Sequence, residues 1–115
     1  MKKREYGDYL EDISDSIDAI EEFVKGMEFE DFTKDRKTIF AVVRCIEIIG
    51  EATKNIPKSI KSKCPEIPWK DIAGMRDKVI HEYFGVDLKV VWKTVKEDIP
   101  PIKSLIQNAL KYLGE

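Results

Sequence analysis

Apolar residues recur every three or four positions along most of this chain. From residue 5 to 27 the stripe is Tyr6, Leu10, Ile13, Ile17, Ile20, Val24 and Met27, which predicts one long amphipathic helix. Its other faces carry Asp8, Glu11, Asp12, Asp15, Asp18, Glu21 and Glu22, a solvated acidic back. Gly26 and residues 28–33 read as a connection. A second helix is predicted from about 35 to 55, where Ile39, Val42, Val43, Ile46, Ile49 and Ala52 or Thr53 keep the helical spacing. Arg44, Glu47 and Glu51 sit among them, with the two glutamates four apart on one face. Pro57 ends that helix, and the lysine-rich connection 57–67 has room for a helical turn at Lys58–Lys63. A third helix should open with Pro68 in its first turn. It continues through Trp69, Ile72, Ala73, Arg76, Val79, Ile80 and Tyr83 to a stop at Gly85. Asp87 suits the N-cap of the next helix, which carries Leu88, Val91, Trp92 and Val95. Pro100 and Pro101 should kink or break it. A last helix follows with Ile102, Leu105, Ile106, Ala109, Leu110 and Leu113. No stretch alternates with a strand's period. The expectation is an all-α fold, an up-and-down bundle of four to five helices, in one domain covering residues 1–115.

Composition narrows the class. The chain has 115 residues, 43% of them hydrophobic, enough for one modest core and too many for a disordered chain. The richest apolar stretch, 39–50, is interrupted by Arg44 and Glu47, so nothing approaches the roughly 20 apolar residues of a membrane span. The basic start, Met1-Lys2-Lys3-Arg4, leads into acidic sequence rather than an apolar run. No secretory signal is expected, and the predicted location is cytoplasmic. Cys45 falls in an apolar helical pattern and Cys64 just before Pro65; a disulfide between them does not suit a reducing compartment. Two cysteines and one histidine cannot supply a four-ligand zinc site within one chain, and no cofactor is expected.

The net charge of −2 hides an asymmetry. Residues 1–31 hold eleven acids and four bases, whereas residues 54–78 hold seven bases and three acids. A basic region suits an anionic ligand such as RNA or a nucleotide; a solvated lysine-rich loop accounts for it equally simply.

The one histidine, His81, lies in Arg76-Asp77-Lys78-Val79-Ile80-His81-Glu82-Tyr83. On a helix Arg76 and His81 would stand about 140° apart, but arginine is long and Arg76 and Tyr83 nearly eclipse. The three could converge on one edge. Histidine both takes and gives a proton near neutral pH. Arginine is a fixed cation whose fork matches phosphate oxygens. Tyrosine adds a hydroxyl and a stacking ring. The set suits metal-independent cleavage of an RNA phosphodiester, except that acid and base are two roles for one histidine. A two-fold dimer, bringing two copies to one cleft, would supply both. A lone histidine near a helix end is also commonly structural.

Arg76, His81 and Tyr83 form the pattern Arg-x4-His-x-Tyr, which resembles the signature of the HepT-like ribonucleases in the HEPN superfamily. Further blocks extend the resemblance in order along most of the chain: Ile48-Ile49-Gly50-Glu51-Ala52, Ile67-Pro68-Trp69, Ile72-Ala73-Gly74-Met75-Arg76-Asp77, His81-Glu82-Tyr83-Phe84, Val91-Trp92 and Asp98-Ile99-Pro100. The resemblance implies a helical bundle working as a homodimer, with Arg76 and His81 as a metal-free catalytic pair in a composite cleft. Asp77 would occupy the polar position after the arginine, where asparagine is frequent. Tyr83 would accept AMP from a cognate minimal nucleotidyltransferase, the antitoxin of a two-gene toxin–antitoxin module. Glu51 and Arg44 would line or brace the cleft, or form structural ion pairs. The competing reading is a non-catalytic helical module that binds a nucleotide or complexes with a nucleotidyltransferase.

Overall fold

The computed structural model describes residues 5–81 and 85–114, with the backbone alone for His81, Gly85 and Val86. Helix α1 (Tyr6–Val24) begins where the backbone N–H of Glu5 donates to Asp8 Oδ2 at 3.1 Å, which satisfies an N–H just outside the first turn. Its stripe is buried as the spacing predicts, with Leu10, Ile13, Ile17, Ile20 and Val24 all in the core. Each fully buried side chain of this size contributes roughly 1.5–3 kcal/mol of transfer free energy. The helix stops short of Met27 because Gly26 takes φ 77°, a left-handed turn that glycine adopts without steric cost.

The expected connection at 28–33 is instead a short helix, α2 (Phe29–Lys34). Asp31 Oδ2 accepts from the Glu28 N–H at 2.9 Å, and the fully buried Phe32 anchors the turn against Trp92, ring centroids 5.1 Å apart. Too short to show a period, it is held by that cap and by Phe32 and Phe29 against Trp92, the Phe29 ring centroid 6.1 Å away.

Helix α3 (Arg36–Asn55) is the centre of the molecule, packing on α1, α2 and the two segments that follow Pro68. Asp35 caps it, accepting from the Thr38 N–H at 3.0 Å, and this bond holds the Asp35 carboxyl below its usual 3.8. Helix α4 (Lys58–Lys63) is the turn anticipated after Pro57. Its end is stapled by Trp69, whose indole N–H lies 3.2 Å from the Lys61 carbonyl and 3.0 Å from that of Cys64.

The predicted third helix is corrected most. It divides into α5 (Trp69–Ala73) and α6 (Met75–Val79) at Gly74, with Pro68 one place earlier as N-cap. It ends at Val79, not near Tyr83. The β-branched Ile80 turns to an extended conformation (φ −111°, ψ 115°). A two-residue strand, β1 (Ile80–His81), then pairs antiparallel with β2 (Gly85–Val86), Ile80 opposite Val86 and His81 opposite Gly85. So Gly85 pairs in a hairpin rather than stopping a helix, and His81 is not helical.

Asp87 is the predicted N-cap of α7 (Leu88–Lys93), its Oδ1 accepting from the Lys89 and Val90 N–H groups at 3.1 and 3.3 Å. The prolines do not break the path. A π-helical turn, Thr94–Asp98, leads straight into α8 (Ile99–Leu113), closed by the Ile99 N–H on the Thr94 carbonyl. Pro100 and Pro101 then fall in the first turn of α8, where missing N–H groups cost least. Helix α8 lies on α1, and Lys103 Nζ bridges to Glu21 at 2.6 Å and Asp18 at 3.8 Å. The bundle is all-α apart from the two-residue ladder, with more and shorter helical segments than four or five. Among the described residues, no helix is long and apolar enough to cross a membrane.

Candidate active site

Burial of Val42, Ile46, Ile49 and Thr53 in α3 leaves one stripe of that helix facing outward: Arg44, Glu47, Glu51 and Lys54. Helix α6 lies beside this stripe. Gly50 makes the approach close, since a Cβ there would stand 3.4 Å from the Ala73 carbonyl and 3.7 Å from Arg76 Cβ. The backbone contact fixes where the Arg76 side chain leaves α6.

Arg76 therefore overhangs the charged stripe. Its Nε lies 3.7 Å from Glu47 Oε2 and its Nη1 3.4 Å from Asp77 Oδ1. The Arg76 and Glu47 side chains are 46% and 31% exposed, so the pair is screened by solvent and orients the guanidinium more than it stabilises the fold. Arg44, Glu47, Glu51, Lys54 and Arg76 line one open groove of about 340 Å³. Three cations against two carboxylates favour an anionic ligand, and an arginine fork can take two oxygens of a phosphate at once.

Of the residues singled out from the sequence, Arg44, Glu51 and Arg76 meet in this groove and Asp77 touches Arg76. The Ile80 N–H is bonded to the Arg76 carbonyl, so the backbone of His81 follows directly from the turn that carries the arginine. The side chain of His81 and the whole of Tyr83 lie outside the described residues. Glu47 and Lys54 were not singled out as site residues. The signal was present, because Arg44, Glu47, Glu51 and Lys54 follow one another at spacings of three, four and three, a single helical stripe.

Cys45 and Cys64 are both free and buried. Burial pushes both thiols up from their usual range, which makes them inert packing residues rather than nucleophiles. Among the described residues no three His, Cys, Asp or Glu side chains cluster as a metal site would require.

With this geometry in place, comparison with known proteins identifies the lineage. A family model described as "Ribonuclease HepT-like" matches residues 13–109, from within α1 to within α8. The chain belongs to the HepT-like ribonuclease family. It is 59% identical over 109 residues to a protein of Thermococcus cleftensis named "Probable ribonuclease HepT", covering 95% of this chain and 99% of the relative. Two Methanocaldococcus jannaschii proteins, both named as candidate RNases, are also similar. One is 50% identical over 111 residues, covering 96% of this chain and 92% of the relative. The other is 49% identical over 115 residues, covering 100% and 99%. No solved structure gives a significant match. The family agrees with an all-α bundle, and the names of the relatives point to RNA.

Proposed function

We propose that this chain is a metal-independent RNA endonuclease that works as a homodimer, with Arg76 and His81 as its catalytic pair. The observation that carries the reading is Arg76 on the wall of a groove whose other cations are Arg44 and Lys54. In the reaction a base removes the proton of a ribose 2′-hydroxyl, and that oxygen attacks the adjacent phosphorus. The bond from phosphorus to the 5′-oxygen breaks, and an acid protonates the departing oxygen. The products are a 2′,3′-cyclic phosphate and a 5′-hydroxyl. Arg76 stabilises the extra charge on the phosphoryl oxygens at the transition state. His81 supplies one of the two proton-transfer roles and its copy in the second protomer the other. Glu47 and Asp77 hold the guanidinium in place, while Arg44 and Lys54 attract the backbone.

Regulation follows from Tyr83 in the same reading. A cognate nucleotidyltransferase transfers AMP from ATP to the tyrosine oxygen, a new O–P bond forming as pyrophosphate leaves. A bulky anion beside Arg76 would occupy its cation and fill the cleft. The module is then a toxin–antitoxin pair in the cytoplasm.

The test is cleavage of total RNA and defined tRNAs in EDTA, beside His81→Ala. The parent is expected to leave 2′,3′-cyclic phosphate or 3′-phosphate ends and His81→Ala to leave the RNA intact. After co-expression with the partner, the peptide containing Tyr83 should gain the mass of AMP, and Tyr83→Phe should stay active. No cleavage by a folded, dimeric, unmodified parent overturns the nuclease reading in favour of a nucleotide- or partner-binding module.

A further inference from the structure

The charged stripe of α3 has two sides. On the α6 side lies the cationic groove with Arg76. On the α1 side lies a second groove of about 360 Å³, which shares Arg44, Glu47 and Glu51 as a common wall. The two are therefore continuous across one helical ridge, and they differ in chemistry. The second is lined by Ile48 and Ala52 together with Tyr9 from α1, and carries Asp12 and Asn55 as further polar groups. Tyr9 packs against the core with part of its surface still accessible, so its ring is held in place before anything binds.

We propose that this α1–α3 groove seats the base and ribose of one unpaired nucleotide of the RNA whose phosphate lies beside Arg76. The inference rests on the nuclease reading and adds a subsite to it. Charge divides the labour. Glu51 repels a phosphate but can accept hydrogen bonds from base N–H groups and ribose hydroxyls. Arg44, on the shared wall, can reach a phosphate between the two compartments. The apolar floor takes a base face, as unpaired RNA bases do on fixed aromatic and aliphatic side chains. The volume falls at the lower end of the range of small-ligand sites, about 300–1,000 Å³, enough for one nucleoside and too little for a duplex. A nucleotide seated there would set the register of the scissile bond. Cleavage would then favour single-stranded positions over paired ones.

The experiment uses single-stranded pentaribonucleotides with an abasic ribose at each position in turn. Their binding to the full-length His81→Ala protein is read by fluorescence anisotropy. One position is expected to lose affinity by roughly 5- to 100-fold when its base is removed, the span of base–aromatic stacking. That sensitivity should vanish in Tyr9→Leu and in Ile48→Glu, the second variant serving if loss of the Tyr9 ring disturbs folding. Equal affinity for every abasic oligonucleotide, with the parent still cutting RNA, overturns the subsite and leaves the nuclease reading standing. Absence of any RNA binding overturns both. If the two variants turn a dimer into a monomer without changing base sensitivity, the groove is an interface between copies and the subsite is wrong.

Discussion

Helices α1 and α3 are near twins inside the fold and opposites outside it. They are 19 and 20 residues long, lie against one another, and each buries an unbroken aliphatic stripe. Their outer faces diverge. Helix α1 exposes Glu11, Asp15, Asp18, Glu21 and Glu22, a single sign of charge. Helix α3 turns outward Arg44, Glu47, Glu51 and Lys54, two acids flanked by two bases, which face Arg76 across a groove. A uniform acidic face keeps a helix solvated and repels RNA. A face of mixed sign beside a third cation can hold an arginine in one orientation and still attract phosphate. The inner stripes are thus a statement about folding, and the outer stripes separate the solvated acidic back of α1 from the face of α3 that meets Arg76.

The sharpest way to break this contrast is to remove charge from each face and measure RNA cleavage. Arg76→Ala should lower the rate by about 10²–10³-fold, the loss typical of one transition-state donor. Its Tm should hardly move, since the side chain is 46% exposed and its ion pairs are solvated. The double variant Asp15→Asn, Glu22→Gln on α1 should change cleavage by no more than about twofold, as surface substitutions away from a site do. A large loss from the α1 variant would mean that the acidic face takes part. A smaller effect is expected where the twins differ in packing, at Gly50. Gly50→Ala puts its Cβ 3.4 Å from the Ala73 carbonyl, an ordinary contact, and should leave activity near that of the parent. Gly50→Val adds two methyl groups that must displace α5 and α6, destabilising by about 1–3 kcal/mol. Moving Arg76 away from Glu47 should also lower cleavage more than stability explains. If Gly50→Val cuts RNA like the parent, close approach of α3 and α6 does not position the arginine.

The long elements were legible because their periods run for about three turns or more. Leu10, Ile13, Ile17 and Ile20, or Val42, Ile46 and Ile49, leave little freedom over which face is inside. Asp35 and Asp87 marked helix starts through local chemistry that needs no tertiary context. What escaped was short or set by partners far along the chain. Helix α2 depends on Phe32 meeting Trp92, sixty residues on in the sequence. The end of α6 depends on the antiparallel pairing of Ile80 with Val86 and His81 with Gly85, so the helical spacing from Trp69 through Tyr83 overran it. The kink or break expected at the prolines is a π turn that delivers them to a helix start, and nothing periodic signals a π turn. For the site, Arg76 was found through its spacing to His81. Glu47 and Lys54 belong to it only because α6 lies beside α3, a fact of tertiary packing.

The smallest expected effect concerns the N-terminus of α3 and is a matter of pH. Asp35 accepts the Thr38 N–H at 3.0 Å, and that bond, with the Thr38 hydroxyl and nearby Lys37, lowers its carboxyl below 3.8. A folded-state value below the unfolded one means that folding favours the ionised form. The stabilisation is therefore fully present above 3.8 and is lost as pH falls through the lower folded-state value. Asp35→Ala should lower Tm at pH 7, and the gap from the parent should close as pH drops below 3.8. Asp35→Asn keeps an acceptor without the charge, so it should retain part of the capping at every pH. RNA cleavage at pH 7 should be unchanged in both, because the cap lies two turns from Arg44 and lines no part of the groove. A Tm gap that stays constant into acid would show that the carboxylate's charge does not stabilise the helix start. A loss of cleavage at full folding would show that the start of α3 is coupled to the stripe that builds the site.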